Sequence, residues 1–210
     1  MSTSSSQIRI LTVDDHALVR DGIAGLISVQ SDMIMVGQAC TGREAIQQFR
    51  SLQPDVTLMD LQMPEMNGIE ALITIRNEFS EARVIVLTTY AGDVQILRAL
   101  KAGAQAYLLK NTLHRELLET IRAVHAGKKA LSAEASYEIA EHATDDALTP
   151  AEVAVLRLIA AGNANKQIAD HLSITEETVK SRVKNILSKL GANDRTHAAM
   201  IGLKRGIIGL

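Results

Sequence analysis

Three carboxylates close two short apolar runs. Residues 8–13 read IRILTV and lead into Asp14 and Asp15; residues 55–59 read DVTLM and lead into Asp60. A short apolar run that ends in acid has the pattern of a buried parallel strand delivering charge to one rim of a sheet. Carboxylates held together repel and raise one another's pKa unless a cation neutralises them. Three oxygen-donor side chains suit a hard divalent ion such as Mg2+. These residues imply an acidic, Mg2+-loaded pocket with one acid left for chemistry.

Such a pocket needs elements to hold it. Strand patterns fall at residues 8–13, 33–39, 55–59, 83–88 and 106–109, and helical patterns alternate with them at about 17–29, 42–51, 68–77, 93–102 and 113–126. Five β–α pairs predict an α/β fold, a doubly wound five-stranded parallel sheet with helices on both faces. Such sheets bind ligands at the carboxyl ends of their strands, near a topological switch point. Asp14 and Asp15 follow strand one, Asp60 closes strand three, Thr88 closes strand four and Lys110 follows strand five. Each acid alone reads as a turn or a helix cap. Four strand ends in agreement read as a site.

The pattern changes after Gly127. Residues 128–147 read as a linker with a short helix at about 133–142, and residues 148–210 as a small all-α domain. Thr149 with Glu152 three residues on forms a capping box, with Pro150 at the first helical position. Helices are expected at 150–161, 166–171, 176–190 and 195–205. In the third, Val179, Val183, Ile186, Leu187 and Leu190 form one apolar stripe. Ser181, Asn185 and Ser188 lie opposite it, flanked by Lys180 and Lys184 on one side and Arg182 and Lys189 on the other. A short helix, a turn at residues 172–175 and this basic helix read as a helix-turn-helix. Thr175 caps the second helix and aims its free N–H groups outward. The same periodicity also fits a solvated, lysine-rich face on a small bundle.

Charge agrees with two halves of different character. Residues 1–147 hold 13 Lys and Arg against 19 Asp and Glu, a net of −6, whereas residues 148–210 hold 9 against 5, a net of +4. A basic second half beside an acidic first suggests nucleic acid as the partner of the second. Cys40 is the only cysteine, so an intrachain disulfide is excluded. The polar, serine-rich start has no apolar stretch of a signal peptide, and no apolar run reaches membrane-spanning length. The expectation is a cytoplasmic protein without a membrane partner. Cys40, the seven Met and the six His read as packing or surface residues.

Asp14, Asp15, Asp60, the stretch MDLQMPEMNGIEA, Thr88 in VIVLTTY and Lys110 in GAQAYLLK resemble the receiver domain of two-component response regulators, a flavodoxin-like fold. The segment from LTPAEVAVLRLIAAG to SKLGANDRTHAA resembles the LuxR-type helix-turn-helix. Together they are similar to the NarL/FixJ class of transcription regulators, over almost the whole chain. The resemblance implies that Asp60 accepts a phosphoryl group from a phosphohistidine on a sensor histidine kinase. It implies Mg2+ held by Asp15, Asp60 and the backbone carbonyl of Gln62, with Asp14 acting mainly through bound water. Lys110 and Thr88 would hold phosphoryl oxygens, and Tyr107 would change rotamer as Thr88 moves. Beyond its own Mg2+-dependent phosphorylation and dephosphorylation, no enzyme activity is implied. In the second half, base contacts fall to Lys180, Ser181 and Lys184, and phosphate contacts to Lys166, Thr175, Thr178 and Arg182. The last helix, with Ala198, Ala199, Met200 and Leu203, would pair two copies into a dimer. Promoter DNA and RNA polymerase complete the implied partners.

Two positions depart from the family. Asn111 follows Lys110 where many relatives have a cis proline, and a cis bond before a non-proline residue costs ~2.5–4 kcal/mol, so the family's loop geometry is not carried over. Ala151 stands where many relatives have Arg. Two other readings remain open from the residues. One is a phosphohydrolase using Asp60 as nucleophile, although Gln62 stands where haloacid-dehalogenase-like enzymes place a second acid. The other is a ligand-sensing LuxR-type regulator, against which the full acidic set argues.

Overall fold

The computed structural model describes residues 7–89, 92–142 and 146–209. The serine-rich start and part of the expected linker lie outside the described residues. The chain divides into two compact units, one running to Thr89 and resuming at Ile96–Ser136, the other made of Tyr137–Leu210 with Tyr90–Gln95.

The first unit is built on the strands β1 (Ile8–Val13), β2 (Met33–Ala39), β3 (Val56–Asp60), β4 (Val84–Thr88), β5 (Ala106–Leu109) and β6 (Ala130–Leu131). All neighbours are parallel, in the order β2-β1-β3-β4-β5-β6. The sheet therefore has six strands, not five. The sixth comes from the stretch expected to be linker, where Ala130 and Leu131 pair with Ala106 and Tyr107. Two residues are too short to show an alternating pattern, so only the edge of β5 reveals them as a strand. β3 begins at Val56 because Asp55 bonds its neighbour partly through its side chain: the Arg9 backbone N–H donates to Asp55 Oδ2 at 2.8 Å.

Helices α1 (Ala17–Ser28), α2 (Gly42–Leu52), α3 (Gly68–Glu78), α4 (Asp93–Lys101) and α5 (Leu113–His125) alternate with the strands, and α6 (Ala133–Glu141) follows β6. Ile23 and Ile27 of α1 and Leu117, Ile121 and Val124 of α5 recur at helical spacing. They pack in one core with Ile10, Leu58, Ile85, Leu87 and Leu108. By strand alternation Val86, Thr88 and Tyr107 lie on the opposite face. Chain order reverses between β1 and β3, so the sheet's switch point lies between the strands that end next to Asp14 and at Asp60.

The second unit packs α7 (Pro150–Ala160), α8 (Asn165–Leu172), α9 (Glu176–Leu190) and α10 (Arg195–Lys204) around Leu156, Ile168, Val179, Ile186 and Ala198. The capping box at Thr149 and Glu152 forms as its spacing predicts. Ser173, with φ 53°, takes the left-handed conformation that ends α8 and turns the chain into α9.

Gly68 fixes how closely the loop after β3 approaches the strand. Its N–H donates to the Leu61 carbonyl at 3.1 Å, and a Cβ there would overlap the Asp60 carbonyl oxygen, which is backbone and cannot swing aside. Gly68→Ala is expected to cost about 1–3 kcal/mol, the usual range for overpacking. Its urea midpoint, followed by circular dichroism, should fall well below that of the parent. An unchanged midpoint would show that the loop has another place to go.

Candidate phosphoacceptor pocket and nucleic-acid interface

The ends of β1, β3 and β5 converge on one buried ion cluster. Asp14 and Asp60 are 0% and 2% exposed. The Lys110 ammonium lies 2.7 Å from Asp14 Oδ2 and 3.0 Å from Asp60 Oδ2. Both distances are those of ion pairs, and among the described residues the ammonium is the only group that reaches these two oxygens. Asp60 Oδ1 accepts from the Gln62 backbone N–H at 3.3 Å. Lys110 is held by its own backbone, whose N–H continues the β4–β5 ladder to the Thr88 carbonyl at 2.7 Å. The peptide after it is trans, as are all those among the described residues.

Burial pushes the Asp60 carboxyl above its usual range; Lys110 pulls it back, and Asp14 adds to the rise. Burial alone would lower Lys110, but the Asp14 and Asp60 carboxylates outweigh it and the ammonium is held above its ordinary value. The cluster carries two buried negative charges and one positive charge, with Asp15 at the rim. One donor atom from each of Asp14, Asp15, His16 and Asp60 lies within 4.8 Å of the others. Two buried carboxylates that share one ammonium, beside these donors, fit a divalent cation, which would supply the missing charge.

Thr88 and Tyr107 sit on adjacent strands. Tyr107 is fully buried, and its hydroxyl is hydrogen-bonded to Thr88. Burial drives the phenol well above its ordinary pKa, with the Thr88 bond opposing and the nearby Asp60 charge reinforcing. The phenol is therefore a neutral partner that reports where the Thr88 hydroxyl points.

In the second unit, α8 and α9 form the helix-turn-helix. Thr175 Oγ1 accepts from the Thr178 N–H at 3.1 Å, and the two hydroxyls are 2.8 Å apart. Lys166, Lys180, Ser181 and Lys184 are exposed, and Arg182 is half-buried. Lys180 lies 3.7 Å from both Glu176 and Glu177 on its own helix. Lys184 has no ion-pair partner among the described residues, so the two lysines of the expected reading face are not equivalent. Lys189 is taken out of that face. Its ammonium donates to Glu152 Oε2 at 2.8 Å and to the Ala147 carbonyl at 3.3 Å. Burial raises the Glu152 carboxyl, but Lys189 and Thr149 together hold it below the usual range.

Two expectations need correction or extension. Ala198 and Ala199 do not offer a pairing face: both are buried in their own unit's core, because Gly202 lets α10 approach Leu156 closely. Of that helix's large side chains Met200 is exposed, at 65%. His16, expected to be a packing or surface residue, belongs to the pocket, and Arg20, to which no role was assigned, braces the turn that leads into it. The His16 N–H donates to Asp14 Oδ1 at 2.9 Å, and its Nδ1 lies 2.8 Å from Asp15 Oδ1. Arg20 donates to the Asp14 carbonyl at 2.6 Å. For His16 the signal was adjacency to Asp15; for Arg20 it was its place one turn into α1.

Residues 10–122 match the response regulator receiver domain. The chain belongs to the response regulators. Residues 146–201 of this response regulator match the bacterial regulatory proteins of the luxR family, which places it in the NarL/FixJ class. It is 38% identical over 206 residues to the response regulator protein VraR of Staphylococcus aureus, covering 96% of this chain and 99% of VraR. It is also similar to RcsB of Salmonella enterica serovar Typhimurium, solved bound to a promoter with the phosphomimetic BeF3−. The TM-score there is 0.74 at 26% identity, covering 93% of this chain and 98% of that one. The response regulator ChrA of a heme-sensing two-component system covers 97% of this chain and 100% of its own at 31% identity, with a TM-score of 0.59. No helix among the described residues is long and apolar enough to cross a membrane.

The raised Asp60 pKa has a sign that can be tested. An acid titrating higher in the folded than in the unfolded state is destabilising once the pH passes its unfolded value of about 3.9, and fully so above its folded value. Without divalent cation, Asp60→Asn should therefore be more stable than the parent at neutral pH, by on the order of 1 kcal/mol. The gap should close as the pH falls through the folded pKa. Denaturant titrations at several pH values would measure it. A variant less stable than the parent at pH 7 would mean that Lys110 over-compensates the burial of Asp60.

Proposed function

We propose that this response regulator, a DNA-binding transcription regulator by family, is a cytoplasmic protein switched by phosphorylation of Asp60 from a sensor histidine kinase. In this reading residues 1–127 are the receiver, 128–147 the linker and 148–210 the DNA-binding domain. The observation that carries the reading is Asp60 itself: a buried carboxylate at the end of β3, with the Lys110 ammonium 3.0 Å away and shared with Asp14.

In the transfer, an Asp60 oxygen attacks the phosphorus of the donor phosphohistidine. The P–N bond breaks and its electron pair returns to the imidazole. Phosphoryl transfer demands positioning and charge neutralisation more than covalent help. Lys110 neutralises oxygens of the transferred group from the end of β5, and the Thr88 hydroxyl leaves Tyr107 to donate to one of them. Asp14, Asp15, Asp60 and the Gln62 carbonyl are the groups that would hold Mg2+, which when bound neutralises the oxygens Lys110 does not reach. The pocket does no chemistry on other substrates. The phosphohydrolase alternative lacks a second acid, since position 62 is Gln and only its backbone meets Asp60.

In the second domain, Lys180, Ser181 and Lys184 would read base edges in the major groove, and Lys166, Thr175, Thr178 and Arg182 would hold phosphates. One helix-turn-helix reads only a few base pairs, so a homodimer on two half-sites is the working form, and RNA polymerase is the partner downstream. The RcsB structure with two dimers on two parallel DNAs supports this assembly.

Acetyl phosphate with Mg2+ should phosphorylate the parent on Asp60 alone, seen as one phosphoryl adduct by intact mass. The phosphorylated sample should sediment as a dimer and bind DNA more tightly. Asp60→Asn should take up no phosphate and show neither change, and an adduct on that variant would refute the assignment. Lys184→Ala should cost about 1–3 kcal/mol on the cognate site and much less on random DNA, as a base contact does. Lys166→Ala should weaken both alike and lower the salt slope by about one. Equal loss on both DNAs for Lys184→Ala would make it a phosphate contact.

A further inference from the structure

His16 has no part in the transfer described above, yet it stands inside the pocket. Its Nδ1 is 2.8 Å from Asp15 Oδ1 and 3.3 Å from Asp14 Oδ1. Its backbone N–H is anchored on Asp14 Oδ1, which fixes the root of the side chain beside the acids. It makes no side-chain cap for α1. The donor atoms of Asp14, Asp15, His16 and Asp60 all lie within 4.8 Å of one another. Two donors on opposite sides of one first-row metal ion stand about 4.2 Å apart, so the four need to close only slightly to share an ion. Buried Asp14 Oδ2 and Asp60 Oδ2 share the single Lys110 ammonium, and the negative charge it leaves uncompensated is the independent sign that this space takes a cation. The His16 side chain is 66% exposed and stands at the solvent edge of the buried acids.

We infer that His16 is a nitrogen ligand of this pocket and sets its metal preference. The inference rests on reading the pocket as a divalent-cation site. Carboxylates and water suit Mg2+, whereas imidazole suits nickel, copper, zinc and iron. A lone pair from the imidazole therefore adds affinity for those ions and almost none for Mg2+. The receiver should accept Mg2+ through oxygen alone, with His16 turned away, and hold imidazole-binding ions through oxygen and nitrogen together. Availability of such ions would then decide which metal accompanies phosphorylation.

Calorimetric titration of the full chain with Mg2+ and separately with Ni2+, on the parent, His16→Ala, His16→Asn and Asp60→Asn, tests this. Both His16 variants should bind Ni2+ at least about tenfold more weakly at the site that Asp60→Asn abolishes, and Mg2+ within about twofold of the parent. Electron paramagnetic resonance of the Cu2+-loaded parent should show coupling to an imidazole nitrogen that both His16 variants lose. Unchanged Ni2+ affinity overturns the inference. Equal weakening of both metals also overturns it and makes His16 only a positioner of Asp15. Tighter binding of both overturns it in favour of a side chain that blocks the pocket. If Asp60→Asn leaves the affinity for both metals unchanged, the reading of the pocket itself fails, and the inference with it.

Discussion

A single ammonium between two buried carboxylates organises the first half of this protein. Lys110 reaches Asp14 and Asp60 at once because β1, β3 and β5 end on the same rim and because its backbone continues the β4–β5 ladder. Two negative charges against one positive, in a place water hardly reaches, is an unbalanced state. Burial keeps Asp60 above its usual pKa, with Asp14 adding to the rise, and the uncompensated charge makes the pocket receptive to a cation. Burying that imbalance costs stability, the usual relation between a functional site and the fold around it.

The rest of the first domain positions or reads that cluster. Gly68 brings the loop after β3 back against Asp60, Arg20 and His16 hold the turn after β1, and the Thr88–Tyr107 pair places a buried, neutral phenol one strand away. None of these contacts is strong alone. Their common property is that each acts at the strand ends that carry the cluster.

The cations of the second domain differ in how far they are committed to partners within it. Lys189 is committed to Glu152 and the Ala147 carbonyl, and so ties α9 to the capping box of α7. Lys180 is shared with two acids at the start of its own helix, whereas Lys184 stands alone on the exposed face among the described residues. Counting basic residues on a helical wheel treats these three alike. Their partners make one a strut, one a partly neutralised contact and one a free charge.

Much of this protein is legible in its sequence because the relevant physics is local. Strand and helix periods, the Thr149–Glu152 capping box and the placing of Asp14, Asp15, Asp60, Thr88 and Lys110 at strand ends depend on residues a few positions apart. β1, β2 and β5 fall where their apolar runs lie, and α9 spans its stripe residue for residue. Other features depend on residues brought together from far along the chain. β6 exists only because the edge of β5 was left open. Ala198 and Ala199 are core rather than surface because Gly202 lets α10 close on α7. His16 joins the pocket only because its ring turns toward Asp15. A periodic pattern states which face of an element is buried, not what it meets. The order of the strands, the approach of the helices and the rotamers at the rim are settled by packing and charge that no periodic pattern encodes, and those only the folded chain decides.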